Sequence, residues 1–138
     1  MSTHLKEKEE KIQQLLEHLA EESAKGTLII VEGKNDVETL RTLGIEGKII
    51  TAKTGGKTLL DVLSELEESN VTEVILLLDF DRRGREWTKR VQQHLEKQRI
   101  KANIKFWLEL LALAGDEVKD VEGLASYVET LKRKTSNS

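Results

Sequence analysis

The 138-residue sequence has no cysteine and no proline. The absence of cysteine excludes disulfides and thiolate zinc sites. Aromatic side chains are scarce, with two Trp, two Phe and one Tyr, so the core has to be built mainly from Leu, Ile and Val. No apolar run approaches the length of a membrane span, and the charged N-terminal stretch does not read as a secretory leader. These absences predict a soluble cytoplasmic protein of one domain with no membrane partner. An excess of positive charge is missing too: 22 Lys and Arg stand against 25 Asp and Glu, for a net charge of −3. Nucleic-acid binding therefore has to come from a local patch. One stretch qualifies. From Arg82 to Lys101 run Arg82, Arg83, Arg85, Lys89, Arg90, Lys97, Arg99 and Lys101, opposed only by Glu86 and Glu96.

Just ahead of that patch, Leu76-Leu77-Leu78 runs into Asp79-Phe80-Asp81-Arg82-Arg83-Gly84. In an extended strand, residues two apart point to the same side, so this spacing predicts Asp79 and Asp81 presented together at a strand end. Two carboxylates held that close repel unless a proton or cation lies between them. A hard divalent ion with a preference for oxygen ligands, Mg²⁺ (with Mn²⁺ as substitute), suits the pair. Upstream, Leu28-Ile29-Ile30-Val31 ends in the same manner at Glu32-Gly33-Lys34-Asn35-Asp36. Sites in parallel α/β sheets form outside the carboxyl ends of strands, where strand order reverses. If the two strands are neighbours, Glu32, Asp79 and Asp81 converge on one metal.

Val31-Glu32-Gly33-Lys34-Asn35-Asp36 followed by Leu78-Asp79-Phe80-Asp81-Arg82-Arg83-Gly84 resembles the Toprim domain, over roughly residues 26 to 106. That domain is shared by topoisomerases, bacterial-type primases, OLD-type nucleases and the ribonuclease that matures 5S ribosomal RNA. Its signature is a strand-terminal Glu in one motif and Asp-x-Asp in the next. The resemblance implies that Glu32, Asp79 and Asp81 are the catalytic and metal-binding triad, and that the chain is a small stand-alone Toprim protein acting on nucleic acid.

Hydrophobic periodicity supports an α/β fold: a mostly parallel sheet of about four strands flanked by helices, with helical extensions at both ends. Residues 1–25 read as an amphipathic helix carrying Leu5, Ile12, Leu15, Leu16 and Leu19 at helical spacing, and 26–138 as the Toprim domain with a C-terminal helix. Strands are expected at 27–32, 48–51, 73–79 and 102–106. Helices are expected at 36–43, 58–68, 83–97 and 121–133, with a short one from Trp107 to Ala114. Asp120 suits the N-cap of the last helix.

Other residues carry more modest expectations. Asp36 stands where a helix N-cap is wanted. Gly33 and Gly84 suit a tight turn or the close approach of a phosphate to main-chain N–H groups. Lys34, Lys57, Arg82, Arg83 and Arg85 are the expected phosphate contacts. Thr54-Gly55-Gly56-Lys57-Thr58 invites a P-loop reading, but that pattern needs a glycine five residues before Gly56, where Thr51 stands. Tyr127 is the sole tyrosine and is read as packing, and His4, His18 and His94 share no ligand spacing.

The predicted activity is Mg²⁺-dependent phosphodiester chemistry, in particular hydrolysis. The chain is short for a strand gate and lacks the cysteines of a primase zinc module. The alternative is a non-catalytic, metal-dependent RNA- or DNA-binding module, or a subunit of a priming, repair or RNA-processing complex. In that case the first helix would be the docking element for a protein partner. Self-association is left open by the sequence.

Overall fold

β-branched and leucine-rich runs alternate with amphipathic stretches along the chain, and the result is a sheet with helices on both faces. The computed structural model describes residues 3–53 and 59–136. Within them the order is α1 (Thr3–Ala24), β1 (Leu28–Val31), α2 (Lys34–Thr42), β2 (Ile49–Thr51), α3 (Leu59–Glu68), β3 (Glu73–Leu77), α4 (Arg82–Lys97), β4 (Lys101–Asn103), α5 (Lys105–Ala114) and α6 (Val121–Ser136). The expected Lys57 contact and the Gly55-Gly56-Lys57 segment lie outside the described residues.

The strands pair in the order β2-β1-β3-β4, and every pairing is parallel. Val31 is level with Thr51 on one side and Leu77 on the other, so the C-terminal ends of β1, β2 and β3 finish together. The two central strands are buried on both faces, as their unbroken apolar sequence requires. Their side chains divide by alternation. Ile29, Val31, Ile75 and Leu77 join a core with α1, α2, α5 and α6, while Leu28, Ile30, Val74, Leu76 and Leu78 join a second core with α3 and α4. From β1 the chain crosses by α2 to β2 on one flank, then by α3 to β3 on the other. Strand order therefore reverses at β1 and β3, which opens a crevice outside their C-terminal ends.

α1 lies against α5 and α6, and its Ile12, Leu16 and Leu19 are buried in the first core. The apolar stripe of this helix thus packs within its own chain. β4 is shorter than expected, and α5 begins at Lys105. Asn103 turns the chain by accepting the Lys105 N–H at 3.0 Å. Phe106 and Trp107 are both buried in the same core, which adjacent residues on a strand, pointing to opposite faces, could not achieve. Among the described residues, no helix is long and apolar enough to cross a membrane.

Candidate metal centre

Glu32 is the first residue beyond β1, and it is buried at 5% exposure. Its carbonyl accepts the Lys53 N–H at 3.1 Å, which ties the loop after β2 to the end of β1. Asp79 lies two residues beyond β3, and its backbone is held from three sides. The Leu78 carbonyl accepts the Trp107 Nε1–H at 2.8 Å. The Phe80 N–H donates to the Lys119 carbonyl at 2.6 Å. Gly84, in the first turn of α4, packs directly on the Asp79 backbone: a Cβ there would lie 2.6 Å from the Asp79 carbonyl carbon. The carboxyl is therefore presented by a fixed frame rather than a loose turn.

Asp79 and Glu32 meet across the crevice, where the Asp79 carboxyl hydrogen-bonds that of Glu32. Burial pushes the Asp79 pKa up first. The hydrogen bond to Glu32, the Glu32 charge and the charges of Asp36 and Asp120 push it further, to about 8. At neutral pH the Asp79 carboxyl is therefore mostly protonated. Glu32 Oε1 is buried and has no hydrogen-bond partner among the described residues. Together with Lys34, Lys53, Asp36, Asp120 and Glu122, the pair lines an open pocket of about 290 Å³.

Asp36 is also buried, and it braces the site. Its Oδ2 accepts the Gly33 N–H at 3.0 Å, and its Oδ1 accepts the Glu122 N–H at 3.1 Å at the start of α6. Burial raises its pKa against the lowering effect of those two hydrogen bonds. The N-cap of α2 is Gly33, and Asp36 sits three residues on, reaching back to it. Gly33 has an extended backbone, φ −141° and ψ 176°, and a Cβ there would come no closer than 3.9 Å to Asp36. Neither a positive φ nor a steric contact requires glycine at this position.

Asp81 does not join the pocket. β3 stops at Leu77, so the strand alternation that would align Asp79 with Asp81 no longer applies. Asp81 is instead the N-cap of α4: its Oδ1 accepts the Gly84 N–H at 2.8 Å. Among the described residues, no three His, Cys, Asp or Glu side chains are grouped to hold a metal. Arg82 is paired with Glu86 at 3.3 Å, and Arg82, Arg83 and Arg85 are all exposed on the first turns of α4. The sequence reading missed three residues at the pocket. Asp120 caps α6 through Gly123 N–H at 2.7 Å and also charges the site. Glu122 lines the pocket, and so does Lys53, whose signal was its position just past a strand that ends level with β1.

The donor set fits Mg²⁺. This ion is commonly held by one or two carboxylates plus substrate phosphates rather than by an all-protein cage. The unpartnered buried Glu32 oxygen beside the Asp79 carboxyl is such a two-carboxylate set.

A pH prediction follows. The Asp79 pKa rises from its ordinary 3.8 to about 8 on folding. Between those values the folded protein holds a proton that the unfolded chain does not, so stability falls as pH rises across the window and levels off above it. With allowance for solvent around a half-buried group, the loss is on the order of 1–2 kcal/mol. Thermal melts in EDTA between pH 4 and 9 measure it; a flat profile would contradict the raised Asp79 pKa.

The Toprim domain family matches residues 27–107. A protein of the UPF0292 group from Methanocaldococcus jannaschii is 44% identical over 120 residues, spanning 86% of this chain and 91% of that one. One from Methanosarcina acetivorans is 37% identical, spanning 94% of this chain and 88% of that one. A solved structure of a protein from Aquifex aeolicus superposes with a TM-score of 0.66 at 27% identity, covering 80% of this chain and 94% of that chain.

Proposed function

Because this chain belongs to the Toprim domain family, we propose that it carries out Mg²⁺-dependent phosphodiester hydrolysis on nucleic acid. The observation that carries the reading is the Glu32–Asp79 pair, two carboxyl groups within hydrogen-bond reach at the point where strand order reverses. Glu32 and Asp79 would hold the ion, with Asp79 giving up its proton in exchange. Bound Mg²⁺ supplies Lewis-acid polarisation of a phosphoryl oxygen and a water of lowered pKa. The chain's own residues do the rest. Lys34 and Lys53 flank the carboxylates and orient the phosphate. Asp36 fixes the angle between α2 and α6 that shapes the pocket. Asp81 holds the first turn of α4, and through Gly84 it keeps that turn against Asp79. The exposed Arg83 and Arg85 grip the backbone without reading bases.

A second reading has an observation in its favour. The lack of a three-carboxylate group among the described residues suits a module that completes its metal site only with nucleic acid or a partner protein, and binds without cutting. One assay separates the two. Labelled structured RNA, single-stranded RNA, and plain and branched DNA are incubated with Mg²⁺, Mn²⁺ or EDTA. Cutting that needs the metal and stops in EDTA is the expected result. Metal-dependent binding with no cutting on any substrate would overturn hydrolysis in favour of the binding module.

A further inference from the structure

We propose that Lys53 and Arg83, gathered on the ring of Trp87, form a phosphate-binding clamp that holds the nucleic-acid backbone beside the acidic pocket. The inference rests on the reading above for its ligand and deepens it by naming where the polyanion is gripped. Lys53 Nζ stands 5.9 Å from the centre of the Trp87 ring, and Arg83 Cζ stands 5.7 Å from the same centre. Each cation is attracted by the ring's quadrupole, but the ring carries no net charge and so neutralises neither cation. Among the described residues neither makes an ion pair, whereas Arg82, one residue away, is paired with Glu86.

The clamp is built from separate pieces of the fold. Lys53 comes from the loop after β2, and its backbone N–H is bonded to the Glu32 carbonyl. Arg83 and Trp87 lie one turn apart on α4, whose first turn packs on Asp79. Trp87 itself is half-buried against the α3–α4 core, so its ring is a fixed post rather than a swinging side chain. Lys53 belongs to both places: it lines the pocket with Glu32 and Asp79 and reaches the ring.

Electrostatics gives this a purpose. Even with Asp79 protonated, Glu32, Asp36, Asp120 and Glu122 outnumber Lys34 and Lys53 in the pocket, which disfavours a polyanion. A pair of cations at its edge, neither held in an ion pair among the described residues, provides the foothold from which a phosphodiester can be held over the carboxylates. The ligand is the sugar–phosphate backbone, so binding is sequence-independent.

The test is fluorescence anisotropy of a short labelled single-stranded oligonucleotide and of its duplex, titrated in EDTA over a series of salt concentrations. The variants are Lys53→Ala, Arg83→Ala, the double variant, Trp87→Phe and Trp87→Leu. Lys25→Ala, at the opposite end of β1 from the pocket and paired with Glu22, serves as control. Each single alanine variant should weaken single-strand binding several-fold and flatten the slope of log K against log salt by about 0.7. Trp87→Phe, which keeps a smaller aromatic face, should lose less than Trp87→Leu. Trp87→Leu should weaken binding several-fold while leaving the salt slope near wild type, because both charges are still present. Wild-type slopes for Lys53→Ala and Arg83→Ala would overturn the clamp, and so would wild-type binding by a folded Trp87→Leu. If Trp87→Leu does not fold, the two charge variants decide alone. Because no metal is present, the outcome is independent of hydrolysis. Cleavage by wild type with unchanged slopes sinks the clamp alone. Altered slopes with no cleavage sink hydrolysis and leave the clamp.

Discussion

Replacing Asp79 by Asn should abolish metal-dependent turnover, a loss of at least about 100-fold, while leaving the protein folded and, above acidic pH, more stable. The amide keeps the shape of the side chain and can still donate to the Glu32 carboxylate, so the hydrogen bond across the crevice survives. What is lost is the second negative charge that appears when the Asp79 proton leaves. Without it, Glu32 alone faces the incoming cation. The stability change has a characteristic pH dependence. Wild type is penalised progressively between pH 3.8 and about 8, because the unfolded chain ionises Asp79 freely while the folded chain resists. The variant has no such group. Its advantage should therefore grow from pH 4 to 8 and then stay constant, reaching roughly 1–2 kcal/mol. Melts of both proteins in EDTA, beside the cleavage assay, measure both effects. Full activity in the variant would remove Asp79 from the site. A large loss of stability at every pH would make it a structural residue.

The parts of this site that were legible in the sequence are those that local patterning controls. Unbroken apolar runs such as Leu28–Val31 and Val74–Leu78 announce central parallel strands. A carboxylate directly after such a run has to emerge at the sheet's C-terminal edge, as Glu32 does. The stripe of α1 and the cap at Asp120 were readable for similar reasons of period and spacing. Where β3 stops was not readable. That is decided by Trp107, 29 residues away, taking the Leu78 carbonyl, and by Lys119 taking the Phe80 N–H. Both contacts exist only once α5 and α6 have packed. They bend the chain after Leu78, and Asp81 passes from a strand face to a helix cap. Asp36 and Asp120 became neighbours of Asp79 for the same reason: α6 returns its first turn to α2, and a hydrogen bond between residues 36 and 122 closes the contact. Local periodicity carries no trace of that return. Lys53 was overlooked because one lysine after a three-residue strand has no pattern, and its meaning comes from Glu32 and Trp87.

Gly84→Ala tests whether that assembled frame is what holds Asp79 in place, and the sign of its effect is informative. Gly84 lies in the first turn of α4, in ordinary helical surroundings. There alanine would normally stabilise by up to about 1 kcal/mol. Here a Cβ would come within 2.6 Å of the Asp79 carbonyl carbon and 2.8 Å of the Asp79 Cβ, distances that side chains do not tolerate. The obstructing atoms are mostly backbone, and they are pinned by the Trp107 and Lys119 hydrogen bonds, so no flexible side-chain tip can swing aside. Relief requires either that α4 lift away, breaking the Asp81 cap on the Gly84 N–H at 2.8 Å, or that Asp79 be pushed across the crevice. The expected outcome is destabilisation by about 1–3 kcal/mol, the usual range for overpacking. A displacement of the carboxyl on the order of 1 Å should also lower turnover roughly 100-fold. Urea unfolding and the cleavage assay read the two effects separately. A more stable and fully active Gly84→Ala would show that the glycine is incidental, and that the spacing from Asp79 through Asp81 to Gly84 does not set the geometry of the site.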